Sequence, residues 1–302
     1  MNDQVERCPV CNQPYSSVLS PSKAKLVWVV CPKCKSLFHT EAPSAQMLFE
    51  YYSDYYNSDN LSVPQVAVRS LERTVSSFEP YRSLVNSICD IGFGAGSLLE
   101  IANGQGWKCS GTEYSTKALE MGLSKGWDVH EGNLVDGLLE GPFDVLTIIE
   151  TLEHVYDPLA LLKEAKKRLR VGGLLYGTTP NASSINRRIL GENWNVVSFP
   201  EHPILLSKKA LYILLKELGF VNIEIFSAGL NPFDLLRRVK FIRPKNRSSE
   251  AANNPRVEYG YRLNETMTHQ PLLRIVKLLI NYLLKLTHLG DGLVFRAERS
   301  NT

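Results

Sequence analysis

The sequence predicts an α/β protein: a doubly wound, seven-stranded sheet with a small cysteine-rich module ahead of it and a helical insertion before its last strand. Three observations carry that expectation. Apolar runs of strand length alternate with stretches of helical period from about residue 86 to 228. One of those runs, Ser87 to Ile91, ends in the glycine-rich turn Gly92-Phe-Gly94-Ala-Gly96, and a helix opens at about Ser97. Two C-x-x-C pairs stand near the start of the chain.

Composition sets the limits. A chain of 302 residues, 44% hydrophobic, can bury one large core and carry a small accessory module. A formal net charge of +3 does not by itself argue for a nucleic-acid protein. The sequence holds no uncharged apolar run long enough to span a bilayer, and its first residues lack a signal-peptide core. Six cysteines, four of them in the two pairs, suit metal in a reducing compartment better than disulfides. The expected compartment is the cytoplasm.

Residues 1–42 read as a zinc ribbon. Cys8, Cys11, Cys31 and Cys34, with nineteen residues between the pairs, match a tetrahedral four-thiolate site. Lys25 to Val30 between them is apolar and β-branched, as a ribbon strand would be. So small a module has little core, and the metal would supply much of its folding free energy. The zinc is expected to be structural, with contact to a partner left open. Residues 43–85 read as a helical connector covering the cofactor pocket, with a tyrosine-dense run at 49–56 and helical spacing at Val68, Leu71, Val75 and Phe78.

Residues 86–302 form the main domain. Gly92, Gly94 and Gly96 remove side chains where the backbone turns sharply and a ligand comes close. The following helix N-terminus offers unpaired N–H groups, and such turns at the carboxyl end of a parallel strand bind nucleotides. The pattern is G-x-G-x-G and not the dinucleotide G-x-G-x-x-G, because position 97 is Ser. Asp90, just before the first glycine, would repel a pyrophosphate and suits a cationic ligand. A second strand, Lys108 to Tyr114, ends in Glu113, where one carboxylate can accept both hydroxyls of a ribose. A helix from Ser115 to Lys125 and a short strand, Asp128 to Glu131, lead to Gly132-Asn133-Leu134. The fourth strand, Phe143 to Glu150, has the apolar character of a parallel-sheet strand and enters Glu150-Thr-Leu-Glu153-His154-Val-Tyr-Asp157-Pro158. A helix from Pro158 to Leu169 is expected to stop at Gly172-Gly173, with the fifth strand at Leu174 to Thr178. Strands at Phe220 to Ser227 and Gly292 to Glu298 complete the sheet, the last one antiparallel.

Taken in order, GFGAG, TEY, GNL, the strand ending in ETLEHV, and GGLLYGTTPN resemble the class I, Rossmann-like S-adenosylmethionine (SAM) methyltransferases. The E-x-x-E-H-V-x-D-P block is similar to that of the ubiquinone-biosynthesis O-methyltransferases. The zinc-ribbon build resembles enzymes that methylate surface polysaccharides and deoxysugars. The resemblance covers about residues 86 to 228. It implies that Asp90, Gly92, Gly94, Gly96, Glu113, Tyr114, Asn133, Leu134 and Glu150 hold SAM, with Asn133 accepting from the adenine amino group. It places Glu153 and His154 at the catalytic edge and leaves open whether Glu150, Glu153 and His154 orient substrate through a divalent metal. A histidine at the place of His202 faces substrate in similar enzymes, which makes His202 the first candidate for a general base.

The residues in the insertion 230–289 add two expectations. Arg237, Arg238, Lys240, Arg243, Lys245 and Arg247 form an acid-free run suited to phosphate, although such a run can also be a solvated loop. Pro271 to His288 is a helix with one narrow polar stripe, expected to be largely buried, over the substrate side or against a second subunit in preference to a membrane. The favoured function is O-methylation of a small molecule, sugar or glycan, phosphorylated or nucleotide-linked if the basic run takes part. The alternatives are an RNA methyltransferase using the ribbon and residues 237–247, and a non-catalytic SAM-binding subunit.

Overall fold

The structure is a computed structural model that describes residues 7–14, 18–20, 28–44, 46–47, 65–137, 139–231, 234 and 271–301. The sequence readings on the tyrosine run 49–56 and on the basic run 237–247 lie outside the described residues. In chain order the strands are β1 (Val18–Ser20), β2 (Trp28–Val30), β3 (Leu37–His39), β4 (Ser87–Ile91), β5 (Lys108–Glu113), β6 (Asp128–Glu131), β7 (Phe143–Ile149), β8 (Leu169–Pro180), β9 (Ile204–Leu205), β10 (Phe220–Ala228) and β11 (Gly292–Arg299). The helices are α1 (Gln65–Ser76), α2 (Ser97–Gly104), α3 (Thr116–Ser124), α4 (Pro158–Arg168), α5 (Ile185–Leu190), α6 (Lys208–Glu217) and α7 (Pro271–Thr287). The chain divides into two compact units. One comprises Leu61–Thr179, Tyr212–Ile225 and Val294–Thr302; the other comprises Met1–Asn60, Pro180–Leu211 and Phe226–Leu293.

The first of these is built on a seven-stranded sheet of order β10-β11-β8-β7-β4-β5-β6. The strands β4 and β7 are buried without alternation because both faces of a parallel sheet are covered by helices. They pair in parallel, Asp90 opposite Thr147, and β4 pairs in parallel with β5, Asp90 opposite Gly111. The core on one side includes Ile88, Leu99, Val145 and Leu174, none of them exposed. Burial of each such side chain contributes about 1.5–3 kcal/mol. The helix α1 brings Val75 into this core and the turn after it brings Phe78, while Leu71 packs at the margin.

One boundary differs from the sequence expectation. The strand β8 begins at Leu169, directly after α4, and not at Leu174. Gly172 and Gly173 therefore lie inside the strand. Its pairing with β7 shifts register between Phe143 and Val145, and Gly172 takes a φ of +71°. A Cβ at Gly173 would stand 2.9 Å from the Arg170 carbonyl oxygen. The two glycines make a bulge, whereas a glycine pair after a basic helical turn reads in sequence as a helix stop.

The second unit carries a four-stranded sheet of order β1-β2-β3-β9. The ribbon hairpin β2–β3 is antiparallel, Val29 opposite Phe38. It is extended by β9, with Leu37 opposite Leu205 and Phe38 opposite Ile204. A small core of Leu37, Ala182, Trp194 and Leu205 fills the space beneath. The ribbon thus shares both a sheet and a core with the segment that follows β8.

Among its described side chains the helix α7 is docked through Leu284, which is 8% exposed and whose carbonyl oxygen accepts the Ser227 hydroxyl at 2.7 Å. Ile275, Leu279, Ile280, Tyr282, Leu283 and Leu286 are exposed by 39–61%. Among the described residues the expectation of a largely buried helix does not hold within a single chain. The described contacts with β10 run through Leu284 and Lys285, and the sequence period cannot tell which apolar face a neighbour takes. No described helix is long and apolar enough to cross a membrane.

Candidate active site and metal centre

The glycine turn joins β4 to α2 with three left-handed residues, Gly92 (φ +69°), Gly94 (φ +50°) and Gly96 (φ +67°). Gly92 and Phe93 donate their N–H groups to the Thr112 carbonyl on β5, and Gly96 donates to the Phe93 carbonyl. These bonds leave the first turn of α2 open toward the carboxyl ends of the strands. A Cβ at Gly92 would lie 2.7 Å from the Thr151 hydroxyl oxygen. That hydroxyl lies 3.0 Å from the carbonyl oxygens of both Ile91 and Ile149, bonding the turn to the end of β7.

Asp90 is buried beneath the turn, and its Oδ1 accepts the Thr147 hydroxyl at 2.6 Å. Burial pushes its carboxyl up to about 7; the Thr147 bond opposes this and the charge of Glu113 adds to it. Asp90 lines a cavity of about 160 Å³ together with Leu71 of α1, Gly92, Phe93 and Ile149. The donor chemistry fits a cationic ligand with an apolar arm: a carboxyl close to ionisation among hydrocarbon walls.

Glu113, at the end of β5, is 5% exposed and accepts three backbone N–H groups. Its Oε2 takes Gly94 at 2.8 Å, and its Oε1 takes Tyr114 at 2.7 Å and Ser115 at 3.2 Å. The side chain therefore ties the middle of the glycine turn to the next strand. Tyr114 is exposed, and its hydroxyl accepts the Asn133 amide at 2.8 Å. The Oδ1 of Asn133 accepts the Val135 N–H at 2.7 Å, closing a turn over the buried Leu134. Asn133 thus uses its carbonyl oxygen to close this turn and its amide to reach Tyr114.

At the ends of β7 and β8 stands a carboxyl pair. Glu150 has a left-handed φ of +49°, and its N–H donates to the Thr178 carbonyl at 3.0 Å. A glutamate held there stores strain of order 1 kcal/mol. Glu153 is 1% exposed, and its Oε2 accepts the Thr179 hydroxyl at 3.0 Å. Burial, then the adjacent Glu150 charge, pushes the Glu153 carboxyl well above the usual carboxylate range. Both the charge and the side chain of Glu150 act to keep the Glu153 carboxyl in its protonated form. His154 closes the short helical turn after them, its N–H donating to the Thr151 carbonyl.

His202 belongs to the other unit. Its N–H donates to the Ser198 carbonyl at 2.7 Å, and its Nδ1 lies 2.8 Å from the Val196 carbonyl oxygen. A carbonyl only accepts, so Nδ1 carries the proton in the neutral ring and Nε2 has the lone pair. Nε2 lies 3.9 Å from Glu201 Oε1. The loop is fixed to the ribbon: His39 donates its N–H to the Pro203 carbonyl at 2.9 Å, and its ring stacks on Phe199 at 3.8 Å.

The four cysteines come together. The Sγ atoms of Cys8 and Cys34, and those of Cys11 and Cys31, are each 3.5 Å apart, and all four lie within 4.8 Å of one another. Tetrahedral thiolates at Zn–S distances of about 2.3 Å would stand roughly 3.8 Å apart, so the set fits zinc. Each knuckle ends in a left-handed residue, Asn12 or Lys35, which lets its N–H return to the carbonyl of the first cysteine. Sequence spacing pointed to the acids and glycines here but missed Thr147, Thr151 and Thr179. Their one signal is a threonine among the apolar strand residues, or just past the strand end, where its hydroxyl must find a partner.

Known proteins place this arrangement. Residues 64–225 match the methyltransferase domain family. The chain is 26% identical over 167 residues to the ubiquinone biosynthesis O-methyltransferase of Thiobacillus denitrificans, covering 51% of this chain and 72% of the relative. It is 31% identical over 129 residues to that of Caulobacter vibrioides, covering 39% of this chain and only half of the relative's length. Among solved structures, phosphoethanolamine N-methyltransferase 2 of Haemonchus contortus with bound SAM has a TM-score of 0.52 at 16% identity. It covers 88% of this chain and 63% of its own. That likeness is one of fold. With the family matched across more than half its length, on a seven-stranded sheet with a glycine turn after β4, the chain belongs to the class I SAM-dependent methyltransferases.

Proposed function

We propose that the chain transfers the methyl group of SAM to an oxygen of a small molecule, sugar or glycan in the cytoplasm. The observation that carries the choice of oxygen is the likeness to ubiquinone-biosynthesis O-methyltransferases. Bound SAM supplies a methyl group already activated on a sulfonium. Asp90, the glycine turn, Glu113, Tyr114, Asn133, Leu134 and Glu150 hold it. Asp90 lies where a positive centre would lower its carboxyl into the ionised form. Glu113 accepts the ribose hydroxyls at the carboxyl end of β5, beside the glycine turn.

The chain's own task is to align the acceptor and exclude water. A hydroxyl acceptor also needs its proton removed, and the Nε2 of His202 takes it while Val196 holds Nδ1. Glu153 and His154 shape the acceptor side. Glu150, Glu153 and His154 would hold a divalent cation if one orients the acceptor oxygen. The four cysteines hold a structural zinc, and the ribbon's work is to fix the His202 loop.

The test is a tritiated-SAM transfer assay on host extract separated into RNA, lipid, polysaccharide and small nucleotide-sugar pools. Label in the small-molecule or polysaccharide pool supports the reading. Label in RNA overturns it and turns attention to the ribbon and residues 237–247.

A further inference from the structure

The exposed apolar residues of α7 follow helical spacing: Ile275, Leu279, Ile280, Tyr282, Leu283 and Leu286 are separated by four, one, two, one and three positions. On a helix of 3.6 residues per turn they fall within one arc of about 160°. Leu284, the buried residue, lies outside that arc. The docking to Ser227 therefore leaves an apolar face outward, about 17 Å long from Ile275 to Leu286. An apolar stripe of this length on a surface is a contact site.

Charge decides what meets it. Residues 230–289 hold eleven Lys and Arg against four Asp and Glu, a surplus of seven, whereas the whole chain is only +3. The rest of the protein is therefore net negative, and its positive charge is gathered into the insertion. Between Glu265 and Asp291 there is no acid, while Arg274, Lys277 and Lys285 are all in α7. A second copy meeting the first through this face would bring two such surpluses together. Nucleic acid would answer the charge but offer no hydrocarbon to five exposed aliphatic side chains and a tyrosine. One surface supplies both negative charge and hydrocarbon.

We propose that α7 is an interfacial anchor that lays its Ile275–Leu286 face into the headgroup and acyl boundary of an anionic lipid bilayer. Tyr282 sits on the lipid-facing arc, and Lys285, whose ammonium lies 5.0 Å from the Phe226 ring centre, is on the docked side. The anchoring is peripheral and does not require the helix to cross the membrane.

The test is co-sedimentation of the full-length protein with phosphatidylcholine vesicles, with and without one quarter phosphatidylglycerol. A Leu279→Glu/Leu283→Glu variant runs alongside, both substitutions at exposed positions, with its melting temperature as the control for folding. The expected result is binding to the anionic vesicles that weakens with salt, little binding to phosphatidylcholine alone, and at least about a tenfold loss of binding in the variant. Wild-type protein that stays in the supernatant with anionic vesicles overturns the proposal, as does a correctly folded variant that binds as well as wild type. Light scattering of the vesicle-free protein tests the second copy. A dimer that the double substitution dissociates, without vesicle binding, assigns the face to self-association and overturns the lipid assignment. Retention on RNA without vesicle binding overturns it in the same way.

Discussion

The Ser207 hydroxyl lies 2.5 Å from the carbonyl oxygen of Cys34 and accepts the N–H of Ala210 at 3.0 Å. One side chain thus caps α6 and holds the second cysteine knuckle. With the pairing of β3 to β9, it fixes residues 199–207 between the zinc site and α6. Ser207→Ala removes both bonds and is expected to cost about 1–2 kcal/mol, read as a lowered melting temperature. The Cys34→Ser variant is expected to lose the zinc equivalent and to lower kcat, while the Kd for SAM stays within about twofold of wild type. If the zinc-free protein turned over normally, the ribbon would have no part in placing the His202 loop.

Asp90 makes SAM binding depend on pH. Its carboxyl stands at about 7 in the folded protein, against about 3.9 in an unfolded chain. The native state therefore binds the extra proton between these values, and this group's contribution to stability declines as pH rises from about 4 to 7. A cationic ligand favours the carboxylate. SAM affinity is then expected to rise with pH up to about 7 and to level off above it, with proton release on binding. Calorimetry in buffers of different ionisation enthalpy measures that proton. Asp90→Asn, which keeps an acceptor for Thr147, is expected to flatten the profile. An unchanged profile in this variant would assign the proton to another group.

Glu113 has two tasks that mutation separates. Glu113→Ala leaves the N–H groups of Gly94, Tyr114 and Ser115 without their acceptor, a cost of about 1–3 kcal/mol where such a group stays buried. SAM affinity is expected to fall by about 100-fold or more, since the ribose contact and the shape of the turn go together. Glu113→Gln keeps one acceptor oxygen and is expected to fall in between. Equilibrium dialysis with labelled SAM, alongside thermal melts, gives both numbers.

How far the sequence carried these conclusions depends on the range of each interaction. The glycine turn, the buried strands β4 and β7 and the two knuckles are local patterns, and their period and spacing were legible. The sheet order follows from the alternation of strands and helices. The pairing of Leu37 with Leu205 was not legible, because a two-residue strand has no period of its own. Nor was the course of β8 through Gly172 and Gly173, since a bulge and a helix stop use the same residue. The exposure of Leu279 and Leu283 was hidden for a further reason: hydrophobic spacing marks faces that can be buried and cannot say which neighbour arrives. Among the acids, position along the chain drew attention to Asp90, Glu113 and Glu153. Only geometry supplied Thr147 and Thr179, which set the surroundings of Asp90 and Glu153.

His202 and Glu153 are separable by kinetics. His202→Ala removes the proton acceptor for a hydroxyl and leaves Asp90, Glu113 and the glycine turn in place. The expected result is a loss in kcat of about 100-fold or more, with the Kd for SAM unchanged. Raising the pH should recover part of the loss if the acceptor hydroxyl then ionises by itself. Glu153→Gln keeps a side chain able to bond Thr179 and removes the carboxyl that burial and Glu150 hold above the usual carboxylate range. Any limb of the kcat profile set by that carboxyl is then expected to disappear. A His202→Ala enzyme that methylates at the wild-type rate would mean the acceptor needs no base, as expected for a nitrogen or sulfur nucleophile. An oxygen acceptor would then be the wrong assignment.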